Sequence, residues 1–155
     1  SSLIGELPRG IPDNLVPFIT QSAIGKRKNI KVFGKDYNTS DGTPVRDYIH
    51  VVDLANAHVQ ALNRLIEKKS KKFYEFFNVG TGKGHSVLEV IKSFEKVNNI
   101  KLPYEIVGRR EGDIEKIYSD TILSRNELNW KAERNLDEMM KSAWKWEKRL
   151  KDLGL

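Results

Sequence analysis

Apolar and polar positions along the chain switch between helical and strand spacing, which predicts alternating α and β elements. After Asn14, the run LVPFITQSAI predicts a helix, with Pro17 in its first turn and Gly25 as its stop. IKVF at 30–33 predicts a short strand. GKDYNTSDGTP at 34–44 is polar, rich in Gly and Asp, and of a length that usually serves function or stays disordered. VRDYIHV at 45–51 alternates and is rich in β-formers, so it reads as a strand. Asp53 is then expected to cap a helix running to about Glu67, in which Leu54, Ala57, His58, Ala61, Leu62 and Leu65 recur at helical spacing.

FYEFFNV at 73–79 predicts a buried strand and GTGKGH a turn. Ser86 and Glu89 then form a capping box opening a helix with Val87, Leu88, Val90, Ile91 and Phe94. LPYEIVG at 102–108 predicts another strand, which places RREGD in a loop at its C-terminal end. Asp120 is expected to cap a short helix, TILSRNEL. Asn135 with Glu138 should cap the last one, LDEMMKSAWKWEKRL, whose Leu136, Met139, Met140, Ala143 and Trp144 make an apolar stripe. The order implies an α/β fold without repeats or an obvious linker. The chain opens in a loop rich in Gly and Pro, and FYEFFNV is more apolar than a half-exposed strand requires. Both features suit the C-terminal part of something larger.

Composition narrows the class. The chain has 155 residues, 39% hydrophobic and 31% charged, as expected of one globular, soluble domain with a core. No apolar run approaches a membrane span, and the N-terminus lacks the apolar centre of a signal peptide. The absence of cysteine excludes disulfide and thiolate chemistry and fits a cytoplasmic setting. The net charge of +6 raises the question of nucleic acid. Yet the cations fall in separate clusters at 25–29, 67–72 and 145–151, at or beyond predicted helix ends, where they complement the helix dipole. No aromatic interleaving accompanies them, so nucleic acid is not expected as a partner.

The motifs supply binding chemistry and no catalyst. GTGKG at 80–84 lacks the third glycine of G-x-G-x-x-G, where His85 stands, and Lys83 is followed by Gly84 rather than Ser or Thr. The glycines are therefore expected to serve a tight turn. His50, His58 and His85 have no ligand at metal spacing, so no metal site is expected. No tyrosine is followed four residues later by lysine, the pair in which the lysine lowers a tyrosine's pKa so that it acts as a base. Arg46 and Arg110 stand beside predicted strands, where two planar guanidinium forks can converge on one diphosphate. Asp113 can accept from sugar hydroxyls. On the residues alone, surface ion pairs explain the two arginines equally well.

Four stretches shift that balance: GIPDNLVPFITQSAIGKRKNIKVFGKDYNTSDGTPVRDYIHVVDLANAHV, FNVGTGKGHSVLEVI, VGRREGDIEKIYSD and ELNWKAERNLDEMMKSAWKWEKR. Together they closely resemble the C-terminal half of the UDP-glucose 4-epimerase family, which are extended short-chain dehydrogenase/reductases. The resemblance implies one C-terminal region over 1–155 that binds the UDP-sugar. It also implies returning elements of a doubly wound Rossmann-like sheet, and an NAD-binding N-terminal half outside this chain. That half carries the fingerprint and the tyrosine–lysine pair, so their absence here is what the resemblance implies. The implied reaction interconverts UDP-glucose and UDP-galactose by oxidation and reduction at C4 through NAD, in a homodimer, and this chain's share is to anchor UDP. Carried over residue by residue, Asn14 and Leu15 line the nucleotide site, and Ile30, Lys31 and Phe33 border the uracil. Arg46 and Arg110 clamp the diphosphate, Asp113 holds ribose, and Ile117 touches the hexose, while Arg109 is expected to face solvent. Asp13 and Lys35 stand where the family often has Asn, and Ile117 occupies a variable position. The competing readings are a nucleotide-sugar dehydratase or decarboxylase of the same class, a non-catalytic nucleotide-sugar-binding module, and a basic RNA-binding domain.

Overall fold

A computed structural model describes residues 5–155; part of the opening loop, residues 1–4, lies outside the described residues. The described residues form five helices and five short strands, interspersed along the chain. They are α1 (Leu15–Ala23), β1 (Ile30–Phe33), β2 (Val45–Asp47), α2 (Val51–Ile66), β3 (Gly84–Ser86), α3 (Val87–Asn98), β4 (Tyr104–Val107), β5 (Lys116–Ile117), α4 (Ile122–Leu128) and α5 (Leu136–Asp152). Among the described residues no helix is long and apolar enough to cross a membrane.

The strands form two small sheets. β1 and β4 pair in parallel, with Ile30 opposite Tyr104 and Phe33 opposite Val107. β2 is the centre of the other sheet, antiparallel to β3 and parallel to β5. The β1–β4 register has a direct consequence for function. Both strands end at the same level, so the loops after Phe33 and Val107 emerge side by side. The Gly34 N–H donates to the Val107 carbonyl at 2.9 Å, which holds the two exits together.

The core lies where α1, α3 and α5 cover β1. Ile19, Ile30, Val32, Val90, Ile91, Phe94 and Met140 are almost wholly buried there. Phe94 meets Trp144 edge to face at 5.8 Å between ring centres. Burying a side chain of that size contributes about 1.5–3 kcal/mol. Both predicted capping boxes are present: Ser86 with Glu89 opens α3, and Asn135 with Glu138 opens α5. Gly25 follows α1 at φ +87°, a backbone state that favours glycine and ends the helix. Asp120 accepts from the Ile122 N–H at 2.9 Å and so serves the start of α4, although Thr121 occupies the cap position.

Two expectations need correction. The strand predicted over 45–51 stops at Asp47, and α2 begins at Val51, two residues before the expected cap. His50 is the N-cap: its Nδ1 accepts from the Val52 N–H at 3.0 Å. Asp53 is buried and turned the other way, accepting from the backbone N–H groups of Glu133 and Arg134 at 3.1 and 2.9 Å and from the Arg134 side chain. A tertiary contact took the carboxylate that local pattern assigned to the helix start.

FYEFFNV is the second correction. Residues 73–79 belong to no strand, with Phe73, Tyr74 and Phe76 exposed. A strand needs a partner for its N–H and C=O groups, and none of the described strands lies alongside. The segment is instead pinned by buried Arg64, which donates to both carboxylate oxygens of Glu75 at 2.8 and 3.1 Å and pairs with Glu127 of α4. The Arg64 bonds, helped by the Lys71 N–H, hold the Glu75 carboxyl down at about 2. The apolar stripe of α2 is only partly covered, as expected of an element that returns to a part outside this chain. Ala57 is buried, but Leu62 and Leu65, with Val59 and Ile66, stand open.

Candidate functional site

One cavity of about 730 Å³ opens where the N-terminus of α1, the free edge of β1 and the start of β2 meet the loop after β4. Asn14, Leu15, Ile30, Lys31, Phe33, Arg46, Arg110 and Asp113 all line it. They come from four separate places in the chain, and only the fold brings them together.

Each wall follows from local structure. The Ile30 and Gly34 N–H groups donate toward the β4 chain, to Pro103 and Val107. The alternation of a parallel ladder therefore turns the backbone groups of Lys31 and Phe33 to the opposite edge, which borders the cavity. Asn14 caps α1 by position only; its side chain makes no cap bond and instead donates to Glu6 at 2.9 Å. No acidic side chain stands in the first turn of α1, so its N–H groups and dipole favour an anion at this end.

The two arginines meet at Asp113. Arg46 Nη2 lies 2.5 Å from Asp113 Oδ1, and Arg110 Nη2 lies 3.3 Å from Oδ2. A turn with Gly112 at φ +74° carries Asp113 back beneath Arg110, whose guanidinium sits 4.8 Å from the centre of the Phe33 ring. Asp113 is about 9% exposed and Arg110 about 57%. The carboxylate is thus a fixed base that aims two cations, one of them free to donate into the cavity. Two guanidinium groups that reach one carboxylate from two directions bring the positive charge that suits a diphosphate.

Tyr48, two residues beyond Arg46, also lines the cavity. Burial pushes its hydroxyl up to about 12, with Arg46 working against the shift and Asp113 adding to it. It stays a neutral hydrogen-bonding group. It stands one residue past the end of β2, and the sequence marked it only as part of the strand predicted over 45–51.

The remaining sequence expectations sort by geometry. Ile117 pairs in register with Arg46, yet it is half exposed and does not line this cavity. Arg109 does not simply face solvent. Its guanidinium lies 3.9 Å from the centre of the Tyr37 ring, and it donates to Asp36 through Nε at 2.8 Å. GTGKG is a structural turn that ends in β3. The N–H groups of Thr81 and Gly82 donate to the Asp47 carboxylate at 2.9 and 3.0 Å, as does that of Ser119 at 3.1 Å. The anion held by this glycine loop is the chain's own. A Cβ on Gly80 would come within 2.3 Å of that carboxylate.

Residues 6–143 match the family model described as GDP-mannose 4,6 dehydratase. Among curated relatives, UDP-glucose 4-epimerase of Pasteurella multocida is 56% identical over 149 residues, 96% of this chain and 43% of that protein. Among solved structures, UDP-glucose-4-epimerase of Stenotrophomonas maltophila, with bound NAD and formylated UDP-arabinopyranose, is 47% identical with a TM-score of 0.91. The match covers 97% of this chain and 44% of that one. UDP-glucose 4-epimerase of Bifidobacterium longum, in complex with NAD+ and UDP, is 46% identical with a TM-score of 0.87, over 94% of this chain and 42% of that one. The chain thus spans less than half the length of the relatives it matches.

Proposed function

The chain belongs to the family described by the GDP-mannose 4,6 dehydratase model, and from that membership we propose that it is the UDP-sugar-binding part of a UDP-glucose 4-epimerase. The observation that carries this reading is the convergence of Arg46 and Arg110 on Asp113 at a cavity bordered by the free edge of β1. A diphosphate between the arginines directs the nucleoside toward β1. There the backbone groups of Lys31 and Phe33 read the uracil edge, and Asp113 accepts from ribose. The first turn of α1, with Asn14 and Leu15, closes the nucleotide end. The hexose lies on the side of Ile117, beyond the cavity described above.

The work of this chain is to hold UDP while the sugar is processed. A nucleotide anchored by two arginines leaves its hexose free to present either face, as interconversion at C4 requires. NAD accompanies both solved relatives named above. The residues of this chain do not fit it: they lack the glycine fingerprint, and the N–H groups of the GTGKG turn are already held by Asp47. Hydride chemistry therefore belongs to a further part of the protein. The exposed apolar face of α2 and the segment 73–79 are the surface on which that part packs. The sequence identity of the epimerase relatives favours this reading over a dehydratase of the same family.

Calorimetric titration with UDP and with an RNA oligomer, followed by an epimerase assay, tests the proposal. UDP should bind and RNA should not. The chain alone should not interconvert UDP-glucose and UDP-galactose, and adding the N-terminal half that its relatives carry should restore turnover. Interconversion by the chain alone, or failure to bind UDP, would overturn it.

A further inference from the structure

Between Val107 and Asp113 the chain crosses open space. A Cβ added to Gly108 or Gly112 would meet nothing within 4 Å, and Arg109, Arg110 and Glu111 are all exposed. Phe33 and Asp113 direct the guanidinium tip of Arg110, but packing does not fix the backbone that carries it. Two local devices remain. One is the turn in which the Asp113 N–H donates to the Arg110 carbonyl at 3.3 Å. The other is Arg109, whose side chain is laid over the neighbouring loop. It covers the ring of Tyr37, donates to the Asp36 carboxylate at 2.8 Å through Nε, and reaches the Asp36 carbonyl at 2.5 Å through Nη2.

The Tyr37 ring is itself buried, about 5% exposed, so the guanidinium rests on a fixed plate rather than on a mobile side chain. The base of the plate is a glycine. Gly34 has φ +82°, and a Cβ there would lie 2.5 Å from the Tyr37 ring and 2.9 Å from Arg109 Cγ. Ring, guanidinium and backbone can meet this closely only without a side chain at position 34. Arg109 and Arg110 then diverge, one toward Tyr37 and the other toward Phe33 and Asp113.

We propose that Arg109 is a positioning residue for the diphosphate clamp: seated on Tyr37 and bonded to Asp36, it fixes the loop after β4 so that Arg110 is held toward the cavity. The proposal rests on the reading of Arg110 as a phosphate ligand. The ion pair with Asp36 is exposed and by itself contributes little. The planar stack on Tyr37 supplies the direction, which a lysine cannot reproduce.

The test is titration of the full chain with UDP and with uridine, in the parent and in Arg109→Ala, Arg109→Lys, Arg110→Ala and the Arg109→Ala/Arg110→Ala pair. Arg109→Ala should weaken UDP binding by roughly three- to tenfold, in the lower part of the range for coupled neighbours, and leave uridine unchanged. Arg109→Lys should not restore it. In the Arg110→Ala background the Arg109 effect should vanish, because nothing remains to position. Gly34→Ala, which wedges the plate apart from the other side, should reproduce the Arg109→Ala loss. UDP binding indifferent to Arg109→Ala, or equal losses for UDP and uridine, would overturn the positioning role alone. Parental UDP binding by Arg110→Ala would overturn the clamp itself and the positioning role with it.

Discussion

At the scale of single residues, the chemistry of the site follows from what guanidinium and carboxylate groups do at short range. Arg46→Ala and Arg110→Ala should each weaken UDP binding by about 1.5–3 kcal/mol, the range for hydrogen bonds to charged groups. Isothermal calorimetry with UDP checks this; unchanged affinity in either variant would remove that arginine from the clamp. Ile117 lies beside Arg46 but outside the cavity wall, so Ile117→Ala should change UDP affinity by no more than about twofold, as exposed substitutions do. A large loss of UDP affinity there would mean that the nucleotide extends onto β5. The arginines and Asp113 were legible as candidates because of their side chains. Arg109 was read as solvent-facing because its sequence neighbours gave no sign of Tyr37, whose ring is brought to it only by the parallel pairing of β1 and β4.

At the scale of elements, local signals worked where one element held both partners. Both capping boxes lie within four residues, and Ser86→Ala or Asn135→Ala should lower stability by about 0.5–2 kcal/mol in thermal unfolding. The start of α2 shows where local signals fail. Its cap is a buried histidine whose Nδ1 accepts from Val52 and whose Nε2 lies 2.8 Å from Ser142 Oγ on α5. Burial, reinforced by Arg134, pushes His50 below its usual 6.5. The neutral ring is the folded form, and the unfolded chain takes up the proton first. Stability from this group is therefore full above 6.5 and falls as pH drops below that value toward the depressed folded pKa. In a His50→Asn variant, which keeps a cap acceptor without a titrating ring, the loss of Tm between pH 7.5 and 5 should be smaller than in the parent. An equal loss in both would remove His50 as the cause.

At the scale of the whole molecule, the uneven burial of α2 is the main fact. Leu62, Leu65 and Ile66 are more than half exposed, and Phe73 and Phe76 stand beyond them in the chain. Contiguous apolar surface of this kind associates when left open. Sedimentation should show concentration-dependent self-association of the chain, and Leu62→Ser with Leu65→Ser should reduce it without lowering Tm by more than about 1 kcal/mol equivalent, since those side chains bury little here. A parent that stays monomeric at all concentrations would mean that this face needs no cover. The sequence by itself determined the α/β alternation, the helix caps built from neighbouring residues, the turn at GTGKG and the residue types able to bind a diphosphate. Each depends on spacing within a few residues, which the chain carries in its order. Only the tertiary structure decided that Asp53 serves residues 133–134, that 73–79 forms no strand, and that the residues of four separate segments share one cavity. Those outcomes depend on which surfaces meet across long separations, and the free energy of such contacts is set by burial and pairing that no local pattern contains.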